Sequence, residues 1–524
     1  MPSVIPVVWS IAGNDSGGGA GLSADQRAAT AFGVHLCPVV AAITAQNSVG
    51  VTRVDPVPPE VLEAQLAALA ADMPPAVVKT GMLGSAENVM AVARWVDQLR
   101  AQGPVALVID PVLGSTTGAS FAGDAVLHAY REFLLPRATL ITPNENEARR
   151  LVAGGGQAEA SVPELARLLR TTGAQAVAIT CGDSAIRKGE SLDWIDTPHA
   201  DGWLALPRID TPHTHGTGCT YATSAASALA RGFVVADALV LAKMATAHAL
   251  NHGYPAGQGA GPVAASAGFA VDPSLMPRMS WGEGSALAGE PVLGPASALA
   301  SNLDLYAIVD TSERVAKVVA AGVKTVQLRI KTPPAPDAAW RAELREAIAR
   351  SIQACRAAGA LLIINDHWQL AHELGAGAVH LGQEDLLALG EAGRATLAAT
   401  GLQLGISSHS LWELARARGM NPAYVACGPV WPTLTKAMPW HAQGLDNLAW
   451  WVHMADVPVV AIGGILEHHQ LAQAAQSGAS GICVVRGLGD DPATTIPAWQ
   501  KALAQGRAAP SLPVPEMPHP SLDP

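Results

Sequence analysis

The sequence predicts an α/β protein of two units: an N-terminal α/β sandwich around a mostly parallel sheet, and a C-terminal (β/α)8 TIM barrel. Three observations carry this. Residues 1–268 alternate short β-branched runs with Ala/Leu-rich stretches, the signature of parallel strands joined by crossover helices. Residues 302–506 repeat that alternation eight times within about 200 residues, the number a closed barrel needs. Between them, residues 269–301 dissolve into Gly, Pro, Ser and Ala (WGEGSALAGEPVLGPASALAS), which reads as a linker.

In the first unit, strands are expected at Val4–Ala12, Cys37–Thr44, Val77–Met82, Ala106–Pro111, Thr139–Thr142 and Ala176–Cys181, each followed by Gly, Pro or Asn and an amphipathic segment. Trp194–Asp196 and Trp203–Ala205 flank a Thr-Pro-His-Ala-Asp-Gly turn and read as an antiparallel edge hairpin. In the second unit, the eight strands are Leu303–Val309, Thr325–Ile330, Leu361–Asn365, Ala378–Leu381, Gln403–Ser407, Tyr424–Gly428, Val457–Ile462 and Gly481–Val485. Helical stretches such as Asp337–Ala358 and Leu411–Arg418 lie between them. Residues 507–524 end in PSLPVPEMPHPSLDP and read as a disordered, Pro-rich tail.

Composition excludes several classes. Of 524 residues, 49% are hydrophobic and 15% charged, which fits large buried cores and not a disordered chain. A formal net charge of −11 argues against nucleic acid as the main partner. The six cysteines are far apart with no C-x-x-C pair, so neither a disulfide framework nor a cysteine zinc site is expected, and a reducing cytoplasm is the default location. The N-terminal MPSVIPVVWSIAGND has no basic stretch, and the charge-free run between Arg27 and Arg53 is broken by polar residues, Pro and Gly. Neither a signal peptide nor a membrane span is expected. Oligomeric state is left open, a homo-oligomer included.

Three features of the first unit carry chemistry. Gly216-Thr217-Gly218-Cys219 precedes an Ala-rich helix, so its backbone N–H groups sit at the positive dipole end, where a transferring phosphoryl group is stabilised. Gly17-Gly18-Gly19-Ala20-Gly21 follows the first strand and allows close approach of backbone to a ligand. Pro143-Asn144-Glu145-Asn146-Glu147 sets Asn144 and Glu147 one helical turn apart, where they could hold magnesium and water near phosphates. Alone, a Gly-rich turn has a plain structural reading as a turn, and Cys219 as a small core residue. Together with AITAQNSVGV, VKTGML, VIDPVLGS and the late GQGAGP, they resemble the hydroxymethylpyrimidine and hydroxymethylpyrimidine-phosphate kinases of the ribokinase-like superfamily.

That resemblance implies an ATP- and Mg²⁺-dependent kinase. Gln46 would hydrogen-bond the aminopyrimidine edge, the Gly216–Gly218 turn would form an anion hole, and Cys219 would sit at the attacking hydroxyl. A thiol at a helix N-terminus has a lowered pKa, so Cys219 is expected either as the base or as a group that positions the hydroxyl. The chain reads Thr180-Cys181-Gly182 where the family usually has a Lys, so a cation expected near the nucleotide phosphates is missing unless Arg187 or Lys188 replaces it. His213 and His215, beside the turn, read as turn-stabilising or substrate-adjacent and not as metal ligands.

In the second unit, Gln327, Arg329 and Lys331 alternate along a strand that a barrel should bury, which calls for a polar or anionic ligand. Asn365-Asp366 and Gly382-Gln383-Glu384-Asp385 end successive strands. Their carboxylates make a hard-cation site or, on the structural reading, cap the helices that follow. QLRIK, INDHW, HLGQEDL, GISSH, PTLTK and AIGGI, in that order, resemble thiamine-phosphate synthase. The resemblance implies that Gln327, Arg329, Lys331, Asn365, Ser407 and Lys436 hold a pyrimidine diphosphate and that Asp366 and Asp385 bind Mg²⁺. Thr433, Thr435, Gly464, Val485 and Arg486 would hold a thiazole phosphate, with Arg486 standing where the family often has Ser. No general base is expected, because the attacking thiazole nitrogen carries no proton.

The implied protein is a bifunctional enzyme of thiamine synthesis, acting on small molecules alone, whose first unit makes the substrate of the second. Two alternatives stay open at this level: a kinase acting on pyridoxal, and one unit reduced to a ligand sensor.

Overall fold

In the computed structural model the described residues are 5–114, 123–152, 159–182, 189–283, 303–433 and 439–523. Backbone contacts divide the chain into two compact units, with the boundary between Glu283 and Gly284. Among the described residues no helix is long and apolar enough to cross a membrane.

Among its described residues, the first unit has a ten-stranded sheet. Its strands are β1 (Val7–Asn14), β2 (His35–Gln46), β3 (Val51–Pro56), β4 (Val77–Thr80), β5 (Ala106–Ile109), β6 (Leu140–Ile141), β7 (Val177–Thr180), β8 (Glu190–Asp196), β9 (Asp201–Pro207) and β10 (Arg278–Met279). They lie in the order β10-β9-β8-β7-β6-β5-β4-β1-β2-β3. The centre, from β2 through β1 and β4 to β7, is parallel. The antiparallel pairings fall at the two sides, β3 on β2 and then β8, β9 and β10 in succession. The central strands are covered on both faces and read as continuous apolar runs, which is why the sequence shows them clearly. Every residue of β4 (Val-Val-Lys-Thr) is buried. Helix Thr217–Ala230 packs on β1, β4 and β5 and so brings its N-terminus to the C-terminal edge of the sheet.

Two expectations are corrected. Residues 269–283, read as the start of the linker, belong to the first unit. The Phe269 ring is buried 4.7 Å from that of Phe32, and Met279 pairs with Leu204 to add β10. Four apolar anchors (Phe269, Leu275, Met276, Met279) outweigh the surrounding Gly, Pro and Ser. The Pro-rich end, read as a disordered tail, docks on the second unit. Leu512 N–H donates to Gln476 O (3.0 Å), His519 N–H to Asn447 Oδ1 (2.9 Å) and His441 N–H to Ser521 O (2.9 Å). A proline-rich segment has little conformational freedom to lose, so a few such bonds suffice to hold it.

The second unit is a closed barrel of eight parallel strands. They are β11 (Asp304–Val309), β12 (Thr325–Leu328), β13 (Leu361–Asn365), β14 (Ala378–Leu381), β15 (Gln403–Ser408), β16 (Tyr424–Cys427), β17 (Val459–Ala461) and β18 (Gly481–Val484). β18 closes on β11 with Tyr306 opposite Cys483. The core includes Ile308, Ile363, Ala378, Ala426, Val460 and Cys483, around the buried rings of Tyr306 and Tyr424. Because all strands run in one direction, the residues that follow them share one mouth.

Candidate functional sites

In the first unit, the glycine-rich loop after β1 is wound around one carboxylate. Asp15 accepts N–H bonds from Gly17 (2.8 Å), Gly19 (3.0 Å) and Ala20 (2.8 Å), and its Oδ2 lies 3.0 Å from His215 Nε2. Burial pushes the Asp15 carboxyl up, but the His215 ring and the Ala20 and Gly17 amides outweigh it and hold the group below the usual carboxylate range. His215 also reaches Gln46, with Nε2 atoms 3.3 Å apart. Gly216, the N-cap of helix Thr217–Ala230, has φ 87°, and a Cβ there would lie 2.2 Å from Gly19 O. Only glycine combines that backbone with that approach. No side chain caps this helix end, and Gly218 faces open space. The structure therefore brings the glycine loop, Gln46, His215 and the Gly216–Cys219 turn together.

Beneath them lies a buried charged core that sequence reasoning missed. Lys79, fully buried in β4, places Nζ 3.0 Å from each Asp25 oxygen and 3.5 Å from Asp110 Oδ2. Asp25 is also held by Ser10 Oγ (2.6 Å) and Thr223 Oγ1 (2.7 Å). Asp110 follows β5, is 5% exposed, and its Oδ2 has no hydrogen-bond partner of normal geometry. Burial pulls the Lys79 ammonium down, but Asp25, Cys219 and Asp110 more than offset it, so Lys79 is charged. Asp110 is raised by burial and by Asp25, against the opposing pull of Lys79.

This core corrects the expectation for Cys219. Burial, with Asp110 and Asp25 adding to it, pushes the thiol up to about 12, although Lys79 and the Gly21 amide pull the other way. The helix end does not make a thiolate here; burial and the neighbouring Asp110 and Asp25 favour the protonated thiol. Asn144 and Glu147, expected near magnesium and phosphates, also have a structural role. They form a reciprocal capping box on helix Glu145–Leu151, with Glu147 N–H to Asn144 Oδ1 at 2.9 Å and Asn144 N–H to Glu147 Oε2 at 3.0 Å. Burial and the nearby Asp110 raise the Glu147 carboxyl to about 7. Arg187 and Lys188, expected as substitute cations, lie outside the described residues.

In the barrel, the polar strand residues converge on a buried chain of neutral groups. Gln327 Nε2 donates to Tyr306 Oη (3.0 Å), which lies 2.8 Å from Tyr424 Oη. His380 Nδ1 is 2.9 Å from Tyr424 Oη, and its Nε2 is 3.0 Å from Ser407 Oγ. Asn365, buried at the end of β13, pairs with His380 in register. Burial, with the Arg329 guanidinium adding to it, lowers the His380 ring to about 4, so it is neutral. Tyr306, His380 and Tyr424 were missed because LYAIV, AVHL and YVAC read as core strands.

The charged residues lie around the mouth. Arg329 follows β12 and is half-buried, and Lys331 beyond it is exposed. Asp366 and Asp385, exposed, follow the adjacent strands β13 and β14. Asp366 has φ 65°, a left-handed backbone that is costly for a residue with a Cβ. Asp385 Oδ2 accepts Gly382 N–H (2.9 Å), the helix-capping role that was its structural reading, which leaves its other lone pairs available. Gly464 has φ 73°, and a Cβ there would lie 2.5 Å from Trp431 O. Trp431 N–H donates to Gly463 O (3.1 Å), so the loop that continues to Thr433 is laid against this glycine pair. Val485 packs against the core at the end of β18, and Arg486 is exposed. Thr435 and Lys436 lie outside the described residues.

A family model described as phosphomethylpyrimidine kinase matches residues 15–264, and one described as thiamine monophosphate synthase matches residues 305–488. The chloroplastic thiamine biosynthetic bifunctional enzyme TH1 of Arabidopsis thaliana is 34% identical over 479 residues, covering 88% of this chain and 85% of that protein. This chain belongs to the bifunctional thiamine biosynthetic enzymes. The hydroxymethylpyrimidine/phosphomethylpyrimidine kinase of Synechococcus elongatus is 40% identical over 259 residues, 49% of this bifunctional enzyme and 97% of the relative. Among solved structures, the pyridoxal kinase of Staphylococcus aureus in complex with ADP is 28% identical with a TM-score of 0.45, covering 49% of this enzyme and 93% of that chain. By its two family matches and its full-length relative, the bifunctional enzyme joins a hydroxymethylpyrimidine (phosphate) kinase to a thiamine-phosphate synthase barrel.

Proposed function

We propose that the first unit phosphorylates 4-amino-5-hydroxymethyl-2-methylpyrimidine and then its monophosphate with ATP, and that the barrel condenses the diphosphate with thiazole phosphate, releasing pyrophosphate. The observation that carries the kinase half is the uncapped helix end at Gly216–Cys219 standing directly over the Lys79–Asp25–Asp110 core. In-line phosphoryl transfer needs positioning and charge stabilisation more than covalent help. The Gly216–Cys219 amides receive the transferring phosphoryl, Gln46 meets the aminopyrimidine edge, and Cys219, as a neutral thiol, orients the attacking hydroxyl. The hydroxyl proton passes to Asp110, a buried carboxylate with a raised proton affinity whose Oδ2 is held only by the 3.5 Å ion pair to Lys79.

Magnesium fits both sites. Near the kinase phosphates, the raised Glu147 carboxyl marks excess negative charge that a divalent cation relieves, with Asn144 beside it. At the barrel mouth, Asp366 and Asp385 offer carboxylates on neighbouring strand ends. Bound there, the ion neutralises phosphate oxygens. Arg329, Lys331, Lys436, Asn365 and Ser407 hold the diphosphate, and Gln327 meets the pyrimidine. Thr433, Thr435, Gly464, Val485 and Arg486 hold the thiazole phosphate. The thiazole nitrogen attacks the pyrimidine methylene as the bond to pyrophosphate breaks. The barrel has only to stabilise the departing charge and exclude water.

Purified enzyme given the hydroxymethylpyrimidine, ATP, Mg²⁺ and thiazole phosphate should form thiamine phosphate, read by mass spectrometry, and pyridoxal should compete weakly. Pyrimidine bound without turnover would favour the sensor alternative for the first unit. The six unpaired cysteines support a reducing compartment, and we place the enzyme in the cytoplasm, which fractionation of the source cell tests.

A further inference from the structure

The barrel's buried polar chain has a direction, and the direction has a consequence at its open end. Gln327, Tyr306, Tyr424 and His380 are at most 8% exposed, so none of them reorients freely toward water. An amide nitrogen only donates, so the Tyr306 oxygen that meets Gln327 Nε2 at 3.0 Å is an acceptor there. The single Tyr306 hydroxyl proton then goes to its other neighbour, Tyr424 Oη, at 2.8 Å. Tyr424 in turn donates to His380 Nδ1, at 2.9 Å. A neutral imidazole accepting at Nδ1 carries its proton on Nε2, which donates to Ser407 Oγ at 3.0 Å. Reversing any one bond would require the amide of Gln327 to turn over, because a Tyr306 hydroxyl aimed at Gln327 needs the amide oxygen.

The fold makes room for this chain at one specific place. A Cβ on Gly405 would lie 2.1 Å from Tyr424 Cζ, so the absent side chain on β15 is filled by the Tyr424 ring. The His380 ring stacks on the same tyrosine at a centroid distance of 5.6 Å. Tyr424 is the middle link, since its hydroxyl gives the Tyr306 proton somewhere to go.

We propose that Tyr424 is a positioning residue that, through Tyr306, locks the Gln327 amide with its nitrogen toward the tyrosines, leaving the amide oxygen to accept from the 4-amino group of the pyrimidine. This rests on the reading of the barrel as the site that takes the aminopyrimidine diphosphate. A 4-oxo pyrimidine presents an acceptor in place of that amino donor, and a site with a fixed amide oxygen leaves both oxygens unpaired. Sites built around one buried hydrogen bond reject the mismatched analogue by as much as ~10⁴-fold. With Tyr424→Phe, the Tyr306 proton loses its acceptor and turns toward Gln327. The amide then flips and its nitrogen faces the ligand, which suits the 4-oxo ring.

The test compares the 4-amino and 4-oxo pyrimidine diphosphates as substrates with thiazole phosphate, through the ratio of their kcat/KM values in the full-length enzyme. That ratio does not depend on the fraction of protein folded. A parallel pair of dissociation constants from calorimetry reads the preference in binding alone, apart from the chemical step. The expected wild-type preference for the amino ring is ~10³–10⁴-fold, collapsing to within about tenfold in Tyr424→Phe. The ¹⁵N shifts of His380 should report an Nε2–H tautomer in the wild type and a mixture in the variant. A ratio that stays within threefold of the wild type in Tyr424→Phe would overturn the proposal. Wild-type enzyme that releases no pyrophosphate from the 4-amino diphosphate would instead overturn the reading on which it rests.

Discussion

The two sites bury opposite kinds of polarity. The first keeps full charges in its interior, with Lys79 between Asp25 and Asp110 and every one of them at most 5% exposed. The second buries a neutral chain, Gln327–Tyr306–Tyr424–His380–Ser407, and leaves Arg329, Lys331, Asp366 and Asp385 near the open mouth. The difference follows the chemistry. A hydroxyl attacking a phosphoryl group must lose a proton, so a base of tuned affinity has to be held inside. A thiazole nitrogen has no proton to lose, so the barrel interior only has to recognise a ring, and charge is needed where the diphosphate departs.

The contrast can be broken most forcefully at Lys79. Lys79→Met leaves two buried carboxylates without their cation, which should cost the first unit about 3–5 kcal/mol in urea unfolding and abolish kinase turnover. Condensation of supplied diphosphate should persist. Asp110→Asn, nearly isosteric, should lower kinase kcat by ~10²–10⁴-fold with little change in KM. If kcat held while KM rose, Asp110 would be a binding group and not the proton acceptor. Gly216→Ala forces a side chain into left-handed backbone against Gly19 O, which should cost about 1–3 kcal/mol and weaken phosphoryl transfer, as a kcat loss in single-turnover assays.

The smallest effect, and the one that sharpens the comparison, is the response to pH. The Glu147 carboxyl rises from an ordinary 4.5 to about 7 through burial and the nearby Asp110. The folded chain therefore keeps a proton the unfolded chain has lost, and stability from this group falls as pH climbs through that window. His380 runs the other way: burial and Arg329 lower its ring from 6.5 to about 4, so stability from it falls as pH drops through that window. Magnesium-free unfolding midpoints of Glu147→Gln and His380→Gln, each compared with wild type across pH, should diverge in opposite directions.

What could be read from the sequence depended on how local the physics was. The parallel strands and barrel strands are buried on both sides, so VVKT, ALVI or LLIIN announce themselves. β3, VTRVDP, is a half-exposed edge strand that looks like a loop. The docking of Phe269–Met279 and of the Pro-rich end rests on a few anchors whose partners lie far away in the chain. At the sites, the placement of Gly216–Cys219 at a helix start and of Asp366 and Asp385 after successive strands was legible because glycine turns and strand ends show locally in the sequence. The thiol's protonation was not, because it is set by Lys79, Asp110 and Asp25, contributed by separate elements. Lys79 in an apolar strand was the one visible signal of that core. Tyr306 and Tyr424, 118 residues apart, left none.

The independence of the two sites is tested most directly by mixing Cys219→Ala enzyme with Arg329→Ala enzyme and supplying hydroxymethylpyrimidine, MgATP and thiazole phosphate. Each variant alone should make no thiamine phosphate from these three. The mixture should make it after a lag, while diphosphate released by one variant builds up for the other. A mixture that stays silent, with both proteins folded and neither half-reaction detectable in either of them, would contradict a chain with two separable active sites.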